Sequence, residues 1–298
     1  MQNLLTKTYK AYTTLGLLAA IMLLTANNFS MQQEIAMKKM GYLIRSQNTT
    51  NPVTQRLFEI IETKKTNLAL AADVTSKEEL LNLVDKVGPE ICFLKMHIDI
   101  IEDFDQNFIE QLKALSRKHN FLIVEDRKFA DIGAVVQGQY KGGIFKIAEW
   151  ADIVIAHVIS GPDIIKALQE AAQEQVQKGN QRGLLILAQM SSSGNLIDDR
   201  YTAEVVNMAN KFKNFVIGFI AQKSLSDDAD FITCTPGVNI AQTKDNLGQN
   251  YNSPEYVIKA KQSDVIIVGR GICAAKDPQA AAREYRQVAW NAYMERNA

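Results

Sequence analysis

Glu125, Asp126, Arg127, Lys128 and Asp131 put three acids and two bases within seven residues, directly behind the apolar run Phe121–Val124. Asp126 and Lys128 are two apart, so an extended backbone aims both side chains the same way. Asp131 is displaced by a turn, which Gly133 permits. Flanking carboxylates favour a protonated lysine and offset the cost of removing its ammonium from water. Such an array suits a reaction that needs a positioned proton donor where negative charge develops. A structural ion-pair cluster has the same composition, so the neighbours of this stretch must decide.

Those neighbours form a pattern. Short apolar runs at Leu68–Ala72, Ile91–Leu94, Phe121–Val124, Ile153–Ala156, Leu184–Ala188, Phe215–Ile220, Phe231–Cys234 and Val265–Val268 read as strands. Helix-sized intervals follow them, with helical periodicity clearest at Lys77–Val87, Phe108–His119, Asp163–Gln177 and Ala203–Lys213. Ser76 and Glu79 fit an N-cap and its capping-box partner. Eight strand–helix units predict a (β/α)8 TIM barrel, an α/β fold; an open doubly wound sheet is the alternative. Polar residues then fall repeatedly just behind the strands: Asp73, Lys95 and His97, the charged array, His157, Ser191, Thr235-Pro236-Gly237, and Gly269-Arg270-Gly271. In a barrel, all of these lie on the catalytic face.

Ile266–Gly271 (IIVGRG) carries a second chemistry. Glycines at a strand end leave backbone N–H groups bare, and an arginine fork matches phosphate oxygens. Barrels often hold phosphate with the loops after strands seven and eight, which here contain Pro236 and Gly269-Arg270. The polar segment Val238–Gly248 has the character of a closing lid or of a plain surface loop.

Other chemistries find little footing. The chain has 298 residues, formal net charge zero and 47% hydrophobic residues, which argues against nucleic-acid binding and allows one large core. His97 and His157 have no metal-set spacing, and a hydrogen-bonded core histidine is the ordinary reading of each. His119 reads as a surface residue closing a helix. Ser191–Gly194 lacks a nucleophile-elbow pattern, and neither GxGxxG nor a P-loop is present. Cys92, Cys234 and Cys273 show no metal spacing and predict a reduced, cytoplasmic protein. Residues 11–29 carry no charge and imitate a signal peptide or short anchor, but their dense apolar part is shorter than the roughly 20 residues that span a bilayer. Residues 1–40 are therefore set apart as an appendage, with one catalytic domain at 41–298 and no membrane association expected.

The stretches LAADV (70–74), LKMHIDI (94–100), EDRKFADIG (125–133), MSSSG (190–194), TPGV (235–238), LGQNY (247–251) and IIVGRG (266–271) resemble the orotidine 5′-monophosphate decarboxylases of the eukaryotic-like branch. The similarity runs in order from about Asn51 to Tyr293. It implies a homodimeric (β/α)8 barrel that makes uridine 5′-monophosphate in pyrimidine synthesis, with neither metal nor organic cofactor. By that resemblance, Lys128 would protonate pyrimidine C6 after carbon dioxide leaves. Asp126 would sit beside the substrate carboxylate, and Asp131 would reach in from the partner subunit. Asp73 and Lys95 would hold ribose hydroxyls with His97 in support. Ser191 would contact the base, while Gln249, Tyr251, Gly269 and Arg270 would grip the phosphate. Ala134, Val135, Met96 and Gln189 depart from the family pattern; Val135 replaces a threonine whose hydroxyl helps hold the ribose, which implies weaker substrate binding. Two rivals stay open: an Mg2+-dependent sugar-phosphate decarboxylase or aldolase sharing Asp-x-Lys-x-x-Asp, and a non-catalytic, membrane-tethered relative that keeps the barrel for binding partners.

Overall fold

The computed structural model describes residues 41–241 and 251–298, so the 1–40 appendage and most of the polar segment 238–248 lie outside the described residues. Eight parallel strands follow in chain order: β1 (Leu68–Ala72), β2 (Phe93–Met96), β3 (Leu122–Phe129), β4 (Ile153–Ala156), β5 (Gly183–Leu187), β6 (Val216–Ile220), β7 (Ile232–Thr235) and β8 (Val265–Val268). Each pairs with the next, and β8 returns to β1 through Leu68↔Ile266, Ala69↔Ile267 and Leu70↔Val268. That last ladder closes the barrel and excludes the open sheet. Seven of the eight strands are buried throughout, which is why they read as continuous apolar runs rather than alternating ones.

Several element ends differ from the sequence expectation, and the differences have two causes. Polar residues do not end three of the strands, whose ladders run on. Lys95 and Met96 belong to β2, Thr235 to β7, and Glu125 to Phe129 to β3. The helices expected from Phe108 and Ala203 begin sooner, because side-chain caps start them. Asp105 accepts the Phe108 amide at 2.8 Å and begins a helix at Gln106; Asp198 accepts the Tyr201 amide at 2.8 Å and begins one at Asp199. Lys77–Val87 and Asp163–Gln177 form as expected, and Ser76 Oγ accepts the Glu79 amide at 3.4 Å. Between β6 and β7 the alternation fails, since residues 221–231 contain turns and no helix.

One glycine is obligatory for closure. Gly218 in β6 has φ +150°, and a Cβ there would lie 1.9 Å from the Ile232 carbonyl oxygen on β7. Any side chain would force these two strands apart.

The N-terminal end of the barrel is sealed by the helix Tyr42–Asn48. Its Arg45, 2% exposed, lies 2.6 Å from the Asp264 carboxylate, donates to the carbonyls of Ala229 and Phe231, and stacks over Phe58 at 4.3 Å. Tyr42 donates its hydroxyl to the Asp264 carbonyl. The opposite, C-terminal rim is thereby left free to carry the loops. No described helix is long and apolar enough to cross a membrane.

Candidate active site

The array forms because β3 breaks its own regularity. Glu125 pairs with Val154 and Phe129 with Ala156, so β3 accommodates two more residues than β4 over that interval. Lys128 sits inside this bulge at φ +48°, the left-handed region. The expectation that an extended backbone aims Asp126 and Lys128 alike is therefore corrected: the side chains do converge, but a bulge brings them together.

Asp126 is the hub. Its Oδ2 accepts from Lys95 Nζ at 2.6 Å and Lys128 Nζ at 2.8 Å, and lies 3.3 Å from His97 Nε2. His97 Nε2 is also 3.3 Å from Lys95 Nζ. Asp73 stands further out, 3.8 Å from Lys95 and 3.9 Å from His97, with most of its side chain exposed. Burial pushes the Asp126 carboxyl upward, but Lys95, Lys128 and His97 outweigh it and hold the group below the usual carboxylate range. Burial lowers His97, helped by the two ammonium groups against the pull of Asp126 and Asp73, so its neutral form is favoured. The second oxygen of Asp126, Oδ1, is buried and has no hydrogen-bond partner among the described residues. A buried carboxylate oxygen left unpaired needs a reason, and in a cavity wall a ligand is a natural one.

This cluster lines one side of a cavity of about 290 Å3 at the C-terminal rim. The remaining wall brings in Ser191, Pro236, Tyr251, Gly269 and Arg270. The Arg270 guanidinium lies 5.8 Å from the centre of the Tyr251 ring. Gly269 passes so close to β1 that a Cβ there would meet the Ala71 carbonyl at 3.3 Å. The described residues flanking 242–250 are tied together: the Asn239 amide donates to the Asn252 carbonyl, and the Asn252 amide to that of Gly237. Gln249 lies outside the described residues.

Not every expected residue joins. Asp131 is exposed, accepts the Ile132 amide at 2.8 Å, and does not line the cavity of its own chain. His157 faces a separate groove beside Tyr201 and Met190. His119 is not a surface residue: only 12% of its side chain is exposed, and it packs against Gly88 and pairs with Asp85 at 2.6 Å. Sequence reasoning missed two wall features. Gln189, treated only as a departure from a pattern, lines the cavity and accepts the Gln222 amide at 3.0 Å. The apolar floor, Ala71, Ile155, Leu187, Ile220 and Ile267, carries no chemical signal in a sequence, though each stands at or near a strand end. Met96 is fully buried and outside the cavity wall, so that substitution does not alter the site surface.

The family model for orotidine 5′-phosphate decarboxylase / HUMPS matches residues 66–285, well over half of the chain. The chain belongs to this family. A decarboxylase of that name from Phycomyces blakesleeanus is 50% identical over 259 residues, covering 86% of this chain and 95% of its own. That of Mucor circinelloides is 50% identical over 258 residues, covering 86% and 96%. The fold is shared more widely: the orotidine 5′-monophosphate decarboxylase of Methanocaldococcus jannaschii, solved with the inhibitor BMP, superposes with TM-score 0.56 at 23% identity, over 74% of this chain and 97% of its own.

Proposed function

We propose that this chain decarboxylates orotidine 5′-monophosphate to uridine 5′-monophosphate and carbon dioxide in pyrimidine synthesis, using no metal and no organic cofactor. One observation carries the reading: a single buried carboxylate oxygen holds two ammonium groups in a cavity whose far wall is the Gly269–Arg270 turn. Kinship with the fungal decarboxylases at half identity supports it.

In this mechanism the substrate phosphate is gripped by Arg270, Tyr251, Gly269 and Gln249, with the Pro236 loop beside it. The ribose hydroxyls meet Asp73 and Lys95, and Ser191 contacts the base. Phosphate binding far from the reacting carbon supplies energy that positions the ring and closes the lid. The substrate carboxylate then lies against Asp126. Two anions at contact distance repel, so the ground state is raised where the carboxylate is to be lost. The C6–carboxylate bond breaks, carbon dioxide leaves, and the bonding pair stays on C6. Lys128 Nζ donates its proton to that carbon, and the lysine is recharged from water after product release. Lys95 stays on Asp126 throughout and preserves the array's charge balance.

The same reading makes the working unit a homodimer in the cytoplasm, bound to neither membrane nor nucleic acid. Asp131 serves the partner's cavity. Its exposure supports this, as do the apolar side chains around it at the rim: Ile132 is 55% exposed, Val135 54%, Ile159 73% and Leu196 97%. Mixing Asp131→Asn with Lys128→Ala chains, each inactive alone, is expected to restore about a quarter of parental turnover, because random pairing of two copies leaves that fraction of sites intact. No recovery would remove the shared site. Turnover of orotidine 5′-monophosphate, followed by absorbance, is expected to survive a chelator; dependence on Mg2+ would favour a sugar-phosphate enzyme instead.

A further inference from the structure

We propose that Glu125 is a positioning residue, whose carboxyl group takes the Ile98 amide and so holds His97 against Lys95 and Asp126; this rests on the decarboxylase reading above. Glu125 is fully buried and absent from the cavity wall, so it touches no substrate. The β2–β3 register ends at Met96↔Glu125, after which β3 bulges away. The next inward amide of the departing chain is Ile98, itself fully buried, and both Glu125 oxygens reach it, at 3.0 and 3.2 Å. The Glu125 side chain thus stands where a regular ladder would offer a carbonyl.

What hangs on that amide is the active-site turn. Ile98 opens the one-turn helix Ile98–Ile100, and His97 is its N-cap residue. The His97 ring touches Lys95 and Asp126, both at 3.3 Å. Without an acceptor, a buried N–H must find another partner, and the turn that aims His97 must move with it. Burial raises the Glu125 carboxyl well above the usual range against the pull of the Ile98 amide, with Asp99 and Asp126 adding to the rise and Lys95 opposing it. Arg127, two residues on, lies 3.8 Å from the Asp99 carboxylate. A glutamine is therefore a close mimic of this side chain, and it keeps the acceptor oxygen.

Two substitutions in the full chain test the proposal. Glu125→Leu keeps the volume and removes the acceptor; it is expected to lower kcat by about tenfold or more, in line with leaving one buried donor unmet. Glu125→Gln is expected to keep kcat and KM within about threefold of the parent, since one amide oxygen still accepts. Adding Glu125→Leu to His97→Ala is expected to cost no further kcat, because both act through one ring. Amide hydrogen exchange at Ile98 is expected to stay slow in the glutamine chain and to quicken in the leucine chain. That readout needs no substrate, so it separates failure of this proposal from failure of the decarboxylase reading. A role in stability alone would lower the melting temperature with kcat intact. Parental kcat in Glu125→Leu, multiplicative losses with His97→Ala, or unchanged Ile98 exchange would each overturn the proposal. If the leucine chain does not fold, the glutamine chain decides alone: retained kcat with a protected Ile98 amide upholds the assignment, and a tenfold loss refutes it.

Discussion

Lys128→Ala is expected to abolish decarboxylation while leaving the barrel folded. The lysine is the proton donor in the mechanism above, and general acid catalysis together with stabilisation of the developing anion is worth on the order of 10^3 to 10^5 in kcat. The fold should not suffer, because a third of the Lys128 side chain is exposed and its removal opens no core cavity. Asp126 would not be stranded either, since Lys95 remains 2.6 Å away on the same oxygen. Relief of the left-handed strain at φ +48° offsets nothing, as alanine is no more at ease there than lysine. Absorbance-monitored turnover beside a thermal melt checks both halves. A variant that melts like the parent and still turns over within tenfold of it would remove Lys128 from the chemistry.

At the other end of the barrel, Asp264→Ala is expected to destabilise the protein by about 3–5 kcal/mol, the usual cost of stranding one member of a buried ion pair. Both side chains are 1% exposed, so solvent cannot take over the lost contact. Asp264 also accepts the Thr233 amide at 2.8 Å, which links the seal to β7. The alanine chain would leave Arg45 over Phe58 without the Asp264 carboxylate, still donating to the carbonyls of Ala229 and Phe231. Urea unfolding measures the loss. Because this pair closes the N-terminal end and the cavity opens at the other rim, KM measured well below the melting temperature should be unchanged. A loss under 1 kcal/mol would show that the seal tolerates opening.

How far these features were legible in the sequence depended on whether local signals or long-range contacts set them. The alternation of apolar runs and periodic segments was readable because parallel strands buried on both faces leave no other pattern. The polar residues behind the runs pointed to one rim, and Asp73, Lys95, His97, Asp126, Lys128, Ser191, Pro236, Tyr251, Gly269 and Arg270 do meet around one cavity. Strand ends were misread for a physical reason. Lys95 and Asp126 neutralise one another across β2 and β3, so their charges do not end the strands that carry them. The bulge at Lys128 was invisible, because nothing in EDRKFADIG marks a non-glycine residue for the left-handed region. Glu125 looked like one more charge in a charged stretch; only the fold reveals that it turns inward, away from the cavity, to an amide on the neighbouring strand's exit. Arg45 gave no signal at all, for its partners lie some 200 positions away, at Asp264 and Phe231.

The most direct measurement is a crystal structure of the full chain with uridine 5′-monophosphate bound. The account predicts the phosphate on Arg270 and Tyr251, and Lys128 Nζ within about 3–3.5 Å of pyrimidine C6, the reach needed for proton transfer. A nucleotide seated with C6 remote from Lys128, or with its phosphate away from the Gly269–Arg270 turn, would contradict it.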